Sequence, residues 1–381
     1  MSWIAGVLIA VALFLLLAAI VGRQSPEGMG DTLAPGETES LRAWVVEVVE
    51  GGTIGEGEFE QPYQRLLLRI DEGALEGQMV EVDYGSLSVI NESSLFKEGD
   101  RVLLDHTRTV DGEHVFVVNS YIRTGSLVWL TLLFVVGTLL LSGWQGVRSL
   151  LGMGISLAII LFFIVPQILD GGNPLLIAIV GSVVMMGSSL YLVYGVGRKT
   201  HVAVAGLLVS LLLTGLLATW FVGGARLSGF GAEEAAFLQA AGIRIDTRGL
   251  LLAGILIGTL GALDDIAVGQ SSAILELSKA NPDLSRGALF RHGMTIGRDH
   301  IAAMVNTLLL AYVGAALPLV LLILVYAEPA AVTLNREIIA EEIVRTLVGS
   351  LGLLAGVPLT TLIAVFVTRQ PARREADEVA S

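Results

Sequence analysis

The chain has 381 residues, 54% hydrophobic and 15% charged, with a mean hydropathy of +0.74. Soluble globular domains carry about 25% charged residues, so the apolar excess points to lipid as the solvent for much of the chain. A net charge of −13 with no clustered Lys/Arg excludes nucleic acid as a partner, and the absence of cysteine excludes disulfides, thiol catalysis and Cys-ligated metals.

The first apolar run, Trp3–Val21, is read as an uncleaved transmembrane anchor over residues 1–22. No positive segment precedes it, and the run is longer than the about 7–15 residues of a signal-peptide core. A cleaved signal peptide is the alternative. Residues 23–39 form a linker. Residues 40–123 then read as a small all-β domain, an OB-like barrel. Its short runs Ala43–Val49, Gln64–Ile70, Gln78–Val82, Arg101–Asp105 and His114–Ser120 are rich in Val, Ile and Leu and are punctuated by Gly, Asp and Glu. Between Leu41 and Arg123 there are 16 Asp/Glu against 7 Lys/Arg. That acidity argues against an oligonucleotide ligand even for an OB-like fold.

Residues 124–368 read as a seven-helix membrane domain. Its spans are Ser126–Leu141, Leu150–Leu169, Pro174–Tyr194, Val202–Val222, Leu250–Ser271, His300–Tyr326 and Thr346–Val367. With the anchor, this makes a polytopic α-helical membrane protein of about eight transmembrane helices with an extracytoplasmic β domain. Orientation follows from the basic residues of short loops. Arg148, Arg198, Lys199, Lys279, Arg286, Arg291 and Arg298 all fall on one side, as do Arg369, Arg373 and Arg374 of the tail. That side is the cytoplasm, so both chain ends are cytoplasmic and the β domain lies outside a bacterial cytoplasmic (inner) membrane. Segment Ala232–Ala241 reads as a short amphipathic helix in an outer loop. Residues 369–381 form a polar tail, expected to be disordered.

The stretch from Gly254 to Leu277 carries the most information. Asp264 and Asp265 lie inside a hydrophobic helix, where a charge costs about 2.5–3.5 kcal/mol at the helix centre. At about 100° per residue, Gly254, Gly258, Gly261, Asp265, Gly269, Ser272 and Glu276 fall on one stripe, and Asp264 is rotated away by about 100°. Small residues on such a stripe allow a neighbouring helix to approach, so the glycines and Ser272 are expected to pack helices around Asp265. The reading that competes with a site is a wetted polar helix end. The next helix begins with TIGRDH (295–300), which holds Arg298 and Asp299, and places Asn306, followed by Thr307, at about the depth of Asp265. Asp265, Asn306 and Thr307 are therefore expected to meet, with Arg298 and Asp299 at the inner mouth. A plain interhelical hydrogen bond is the alternative for Asn306, and ordinary positive-inside behaviour is the alternative for Arg298. Stripes at Gly206, Ser210 and Thr214 and at Gly349, Gly352 and Gly356 read as packing surfaces. Hydrolase, metalloprotease and nucleotide-binding motifs are absent. The five histidines have no metal-ligand spacing, and no catalytic residue, metal or cofactor is expected.

Three blocks carry a resemblance: GALDDIA (261–267) with SAILEL (272–277), GMTIGRD (293–299), and NTLLLAYVGAALP (306–318). They resemble the YibE/F-like family of bacterial membrane proteins from about Val128 to Val367. Similarity extends more loosely to the outer domain through GDRVL (99–103) and FVVNSY (116–121). The resemblance implies a polytopic inner-membrane architecture. It also implies that Asp265, Glu276, Arg298, Asp299 and Asn306 occupy recurring polar positions, whereas Asp264 stands where relatives carry an apolar residue. It brings no function with it.

Two functions are expected from this reading. The first is a transporter or permease of a small solute or ion, with Asp265 as the polar or proton site and Asn306, Asp264, Asp299, Arg298, Thr307 and Glu276 around it. The second is a non-transporting sensor or scaffold whose β domain binds an extracytoplasmic protein partner or ligand. The lipid bilayer is a partner in both, and the oligomeric state is open.

Overall fold

The structure is a computed structural model that describes residues 38–55, 60–86, 90–109, 113–326 and 328–368. The anchor read over 1–22, most of the linker and the tail over 369–381 lie outside the described residues. The chain divides into two units, Met1–Leu141 and Ser142–Ser381.

The first unit is built on an antiparallel sheet. Its strands are β1 (Thr38–Ile54), β2 (Gln61–Ile70), β3 (Met79–Tyr84), β4 (Arg101–Arg108) and β5 (His114–Tyr121), in the order β3-β2-β1-β4-β5. Each predicted strand is present, and β1 starts earlier and runs further than expected. Alternation makes the core: Leu41, Ala43 and Val45 of β1 point inward against Leu66, Leu68, Val102 and Leu104. Register shifts at Val45/Glu47 and Val48/Glu50 bend β1. It therefore pairs with β4 along its first half and with β2 along its second. The sheet curls until the edges β3 and β5 approach without pairing, which makes a half-barrel.

The helices are α1 (Thr124–Ile159), α2 (Val165–Leu169), α3 (Pro174–Tyr194), α4 (Arg198–Gly224) and α5 (Glu233–Ala240). They continue as α6 (Thr247–Ala280), α7 (Arg286–Ala315), α8 (Leu317–Tyr326), α9 (Ala330–Thr333) and α10 (Glu337–Val367). The two spans expected before residue 170 lie in one helical stretch, Thr124–Leu169. No loop separates them. The break is the single residue Gly143, at φ 57° and ψ −134°, a conformation closed to most L side chains. A π turn, Ile160–Ile164, joins α1 to α2. Local chemistry sets the other ends. Asn173 caps α3 ahead of Pro174, Asp246 caps α6 by accepting from the Gly249 N–H, and Ser285 caps α7. The short helix expected in the outer loop is present as α5.

Among the described residues, five helices are long and apolar enough to cross a membrane, or six if α7 and α8, bent by 66°, form one span. The centre of this unit is α4, α6 and α10, whose interlocked side chains include Leu207, Leu211, Leu256, Leu263, Leu353 and Val357. The two packing stripes read from the sequence face each other here. Gly206 of α4 lies against Thr360 of α10, and Gly352 of α10 lies against Thr214 of α4. A Cβ on Gly356 would lie 3.5 Å from Ser210 Oγ, so the backbones are held close by the absence of side chains.

Candidate functional site

Helix α6 presents two faces, set by 3.6-residue periodicity. Leu263, Ile266, Ala267 and Gln270 turn into the α4–α10 core and are buried. Gly254, Gly258, Gly261 and Asp265 fall on the opposite, exposed side. Asp264 lies between the two. It is half-buried, and its Oδ1 is buried without a hydrogen-bond partner.

Helix α7 runs antiparallel along the edge of the exposed stripe. A Cβ on Gly258 would lie 3.1 Å from the Tyr312 hydroxyl, and one on Gly269 would lie 3.3 Å from His300 Cε1. These two contacts fix the register: α7 residues near 305 and 306 stand level with Asp264 and Asp265. Asn306 therefore reaches the carboxylates' level, but no hydrogen bond joins it to either carboxylate among the described residues. Asn306 and Thr307 are exposed, and the Thr307 hydroxyl donates to the Ala303 carbonyl of its own helix at 2.9 Å. Arg298 and Asp299 are exposed on α7. Glu276 is exposed and paired with Lys279 at 2.7 Å. Of the stripe's small residues, Gly258 and Gly269 meet α7, Gly254 and Gly261 have nothing within 4 Å of an added Cβ, and Ser272 donates to the Val268 carbonyl at 2.6 Å.

Three arrangements were not foreseen from the sequence. Buried Gln270 donates from Nε2 to the Gly293 carbonyl at 2.7 Å and to Thr361 Oγ1 at 2.8 Å, tying α6, α7 and α10 together. Its sequence signal is an amide in an apolar helix, opposite glycines 293 and 297. Glu337 and Glu341 of α10 form a latch on the loop after α4. Glu337 Oε1 accepts from the Ser228 N–H at 2.5 Å, the Ser228 hydroxyl at 2.6 Å and the Gly229 N–H at 3.2 Å. Glu341, 3% exposed, accepts from the Gly231 N–H at 3.0 Å. In the β unit, His106 and His114 share a hydrogen bond, Nε2 to Nδ1, at 2.7 Å. Burial, and secondarily the neighbouring His114, hold the His106 pKa below its ordinary value. No group of three or more potential metal ligands occurs among the described residues.

A cleft of about 590 Å³ opens in the first unit between the sheet and the start of α1, lined among others by Arg42, Trp44, Asp71, Arg101, Tyr121 and Arg123. A second cleft of about 260 Å³ lies between α7, α8 and α10 and is apolar apart from Tyr312, Glu342 and Thr346.

No curated protein and no solved structure matches the chain. The family model described as YibE/F-like protein matches residues 130–370, well over half of the sequence, and includes α6 and α7 with Asp264, Asp265, Glu276 and Asp299. The chain therefore belongs to the YibE/F-like family.

Proposed function

We propose that this is a membrane-spanning protein that moves a proton or a small cation, with Asp264 and Asp265 as its polar centre. The reading rests on one observation: a buried Asp264 oxygen with no partner among the described residues, adjacent to an exposed carboxylate, within an apolar helix. A carboxylate in hydrocarbon must be paired, wetted or neutralised. No Lys or Arg pairs with either residue among the described residues, so a proton or a bound cation is the neutralising group. Asn306, level with them on α7, supplies a neutral carbonyl oxygen to such an ion. Thr307 is next to Asn306 on α7, Arg298 and Asp299 lie about two turns before it on the same helix, and Glu276 lies near the C-terminal end of α6. In this reading the protein sits in the bacterial cytoplasmic membrane with the β unit outside and both ends inside, the orientation that the basic loops support.

The test is flux in proteoliposomes loaded with a pH-sensitive dye, and separately with sodium, potassium or magnesium indicators. Wild type is expected to carry one of these ions, and Asp264→Asn and Asp265→Asn each to reduce that flux about 100-fold, the range seen when a proton-transfer group is removed. Wild-type flux no greater than that of empty liposomes, or flux unchanged in both variants, sinks the proposal.

A second reading is favoured by a different observation. Of the two clefts, the larger lies in the β unit and is lined by Arg42, Asp71, Arg101 and Arg123, whereas the one between the helices is almost wholly apolar. This supports a sensor that binds a ligand outside the membrane.

A further inference from the structure

The β unit is acidic, yet its basic residues are not scattered. Three of the 7 Lys/Arg between Leu41 and Arg123, namely Arg42, Arg101 and Arg123, line the cleft of about 590 Å³ beside the start of α1. The acids near it are already engaged. Asp71 accepts from the Trp44 indole N–H at 3.1 Å, and Glu72 accepts from Arg42 Nε at 2.6 Å. Arg101 and Arg123 form no ion pair among the described residues. Each guanidinium instead lies over an aromatic ring. Arg101 is 4.2 Å from the Trp44 centroid, and Arg123 is 5.9 Å from that of Tyr121.

A guanidinium placed on a ring face can still donate its N–H groups sideways. Arg123 uses one of them, Nη1, in a long bond of 3.5 Å to the Tyr121 carbonyl and keeps the others. Two such cations with no acid partner, in a concave site on an otherwise acidic surface, are matched by an anion with several oxygens. The cleft also includes Ser120 and the first residues of α1, Thr124 and Gly125, whose early backbone N–H groups favour the same sign of ligand.

We infer that this cleft binds a phosphate group, held between Arg101 and Arg123. The phosphate has two sources. It can be free in the outer compartment, or it can be the headgroup of an anionic phospholipid, because Thr124 opens a helix long and apolar enough to enter a bilayer. The lipid source rests on the membrane-spanning reading and the free source does not, so the two fail separately. Neither depends on ion flux.

The experiment is arginine footprinting with phenylglyoxal and mass spectrometry on the full chain in nanodiscs. One arm uses phosphatidylcholine discs with added inorganic phosphate. The other uses phosphate-free buffer and compares phosphatidylcholine discs with discs that also contain phosphatidylglycerol. At a ligand level about ten times Kd, modification of Arg101 and Arg123 is expected to slow about tenfold, in proportion to the free fraction. Arg69, exposed on β2 and outside the cleft, is expected not to change. Arg101→Gln or Arg123→Gln is expected to weaken protection of the remaining arginine about tenfold, and the Lys variants less, since they keep the charge and lose the fork. Protection by phosphate in neutral discs supports the site with a free anion as ligand. Protection only with phosphatidylglycerol supports it with the lipid headgroup. Protection in neither arm, or equal protection of Arg69, overturns it.

Discussion

At the scale of single residues, two buried polar side chains set measurable behaviour. His106 is completely buried, stacked on Phe116 and hydrogen-bonded to His114. Because its native pKa lies below the ordinary value of about 6.5, the unfolded chain takes up a proton that the native sheet refuses. The β unit therefore has its full stability above about pH 6.5 and loses it as pH falls, by up to about 1.4 kcal/mol per pH unit. Hydrogen exchange of peptides from β4 and β5 is expected to accelerate on acidification, after correction for intrinsic rates. His106→Phe is expected to flatten that dependence. A pH profile shared by wild type and variant would assign the effect elsewhere. Gln270 is the corresponding residue in the helical unit. Gln270→Ala removes two interhelical hydrogen bonds and opens a cavity, an expected loss of about 2–4 kcal/mol. Gln270→Leu is expected to cost less, since Thr361 still donates to the Val357 carbonyl. Thermal unfolding in detergent ranks the two.

At the scale of elements, the contact between α4 and α10 depends on missing side chains. A Cβ on Gly352 would collide with the Thr214 side chain. Gly352→Val is therefore expected to force the helices apart at a loss of about 1–3 kcal/mol. Thr214→Ala in the same chain is expected to recover part of it, because the two positions share one space. Additive losses in the double variant would mean that the helices do not meet there. The stripe on α6 behaves differently. Its Gly254 and Gly261 face open space within this chain, although their spacing is that of a packing surface. Spacing alone identifies a smooth helix face without saying which helix uses it. The stripes on α4 and α10 were legible because two of them had to meet. Asp264 and Asp265 were legible as unusual residues, since a charge in an apolar run stands out. Which of the pair is buried depends on the rotation of α6 about its axis. That rotation is set by the packing of Leu263 and Ile266 against neighbours far away in sequence.

At the scale of the whole molecule, the proposed orientation can be checked directly because the chain has no cysteine. Glu76→Cys in the β unit is expected to react with an impermeant maleimide on intact cells. Asp283→Cys, in the exposed turn between α6 and α7, is expected to react only after permeabilisation. The opposite pattern would invert the molecule and place the arginine cleft in the cytoplasm. The sequence by itself determined what depends on composition and short-range periodicity: the division into an acidic β part and an apolar helical part, the strand positions and the family. It misplaced the helix read from His300 to Tyr326, which starts at Arg286 and bends by 66° after Ala315, because polar residues such as Arg291 and Arg298 end an apolar run without ending a helix. Hydrophobicity and capping act within a few residues, so they can be read in order along the chain. Tertiary structure alone decided which side chains meet. The Gln270 bridge, the Glu337 and Glu341 latch, the His106–His114 pair and the arginine cleft bring together residues on different elements. Each of those contacts exists only after strand order, helix rotation and close packing have been settled together.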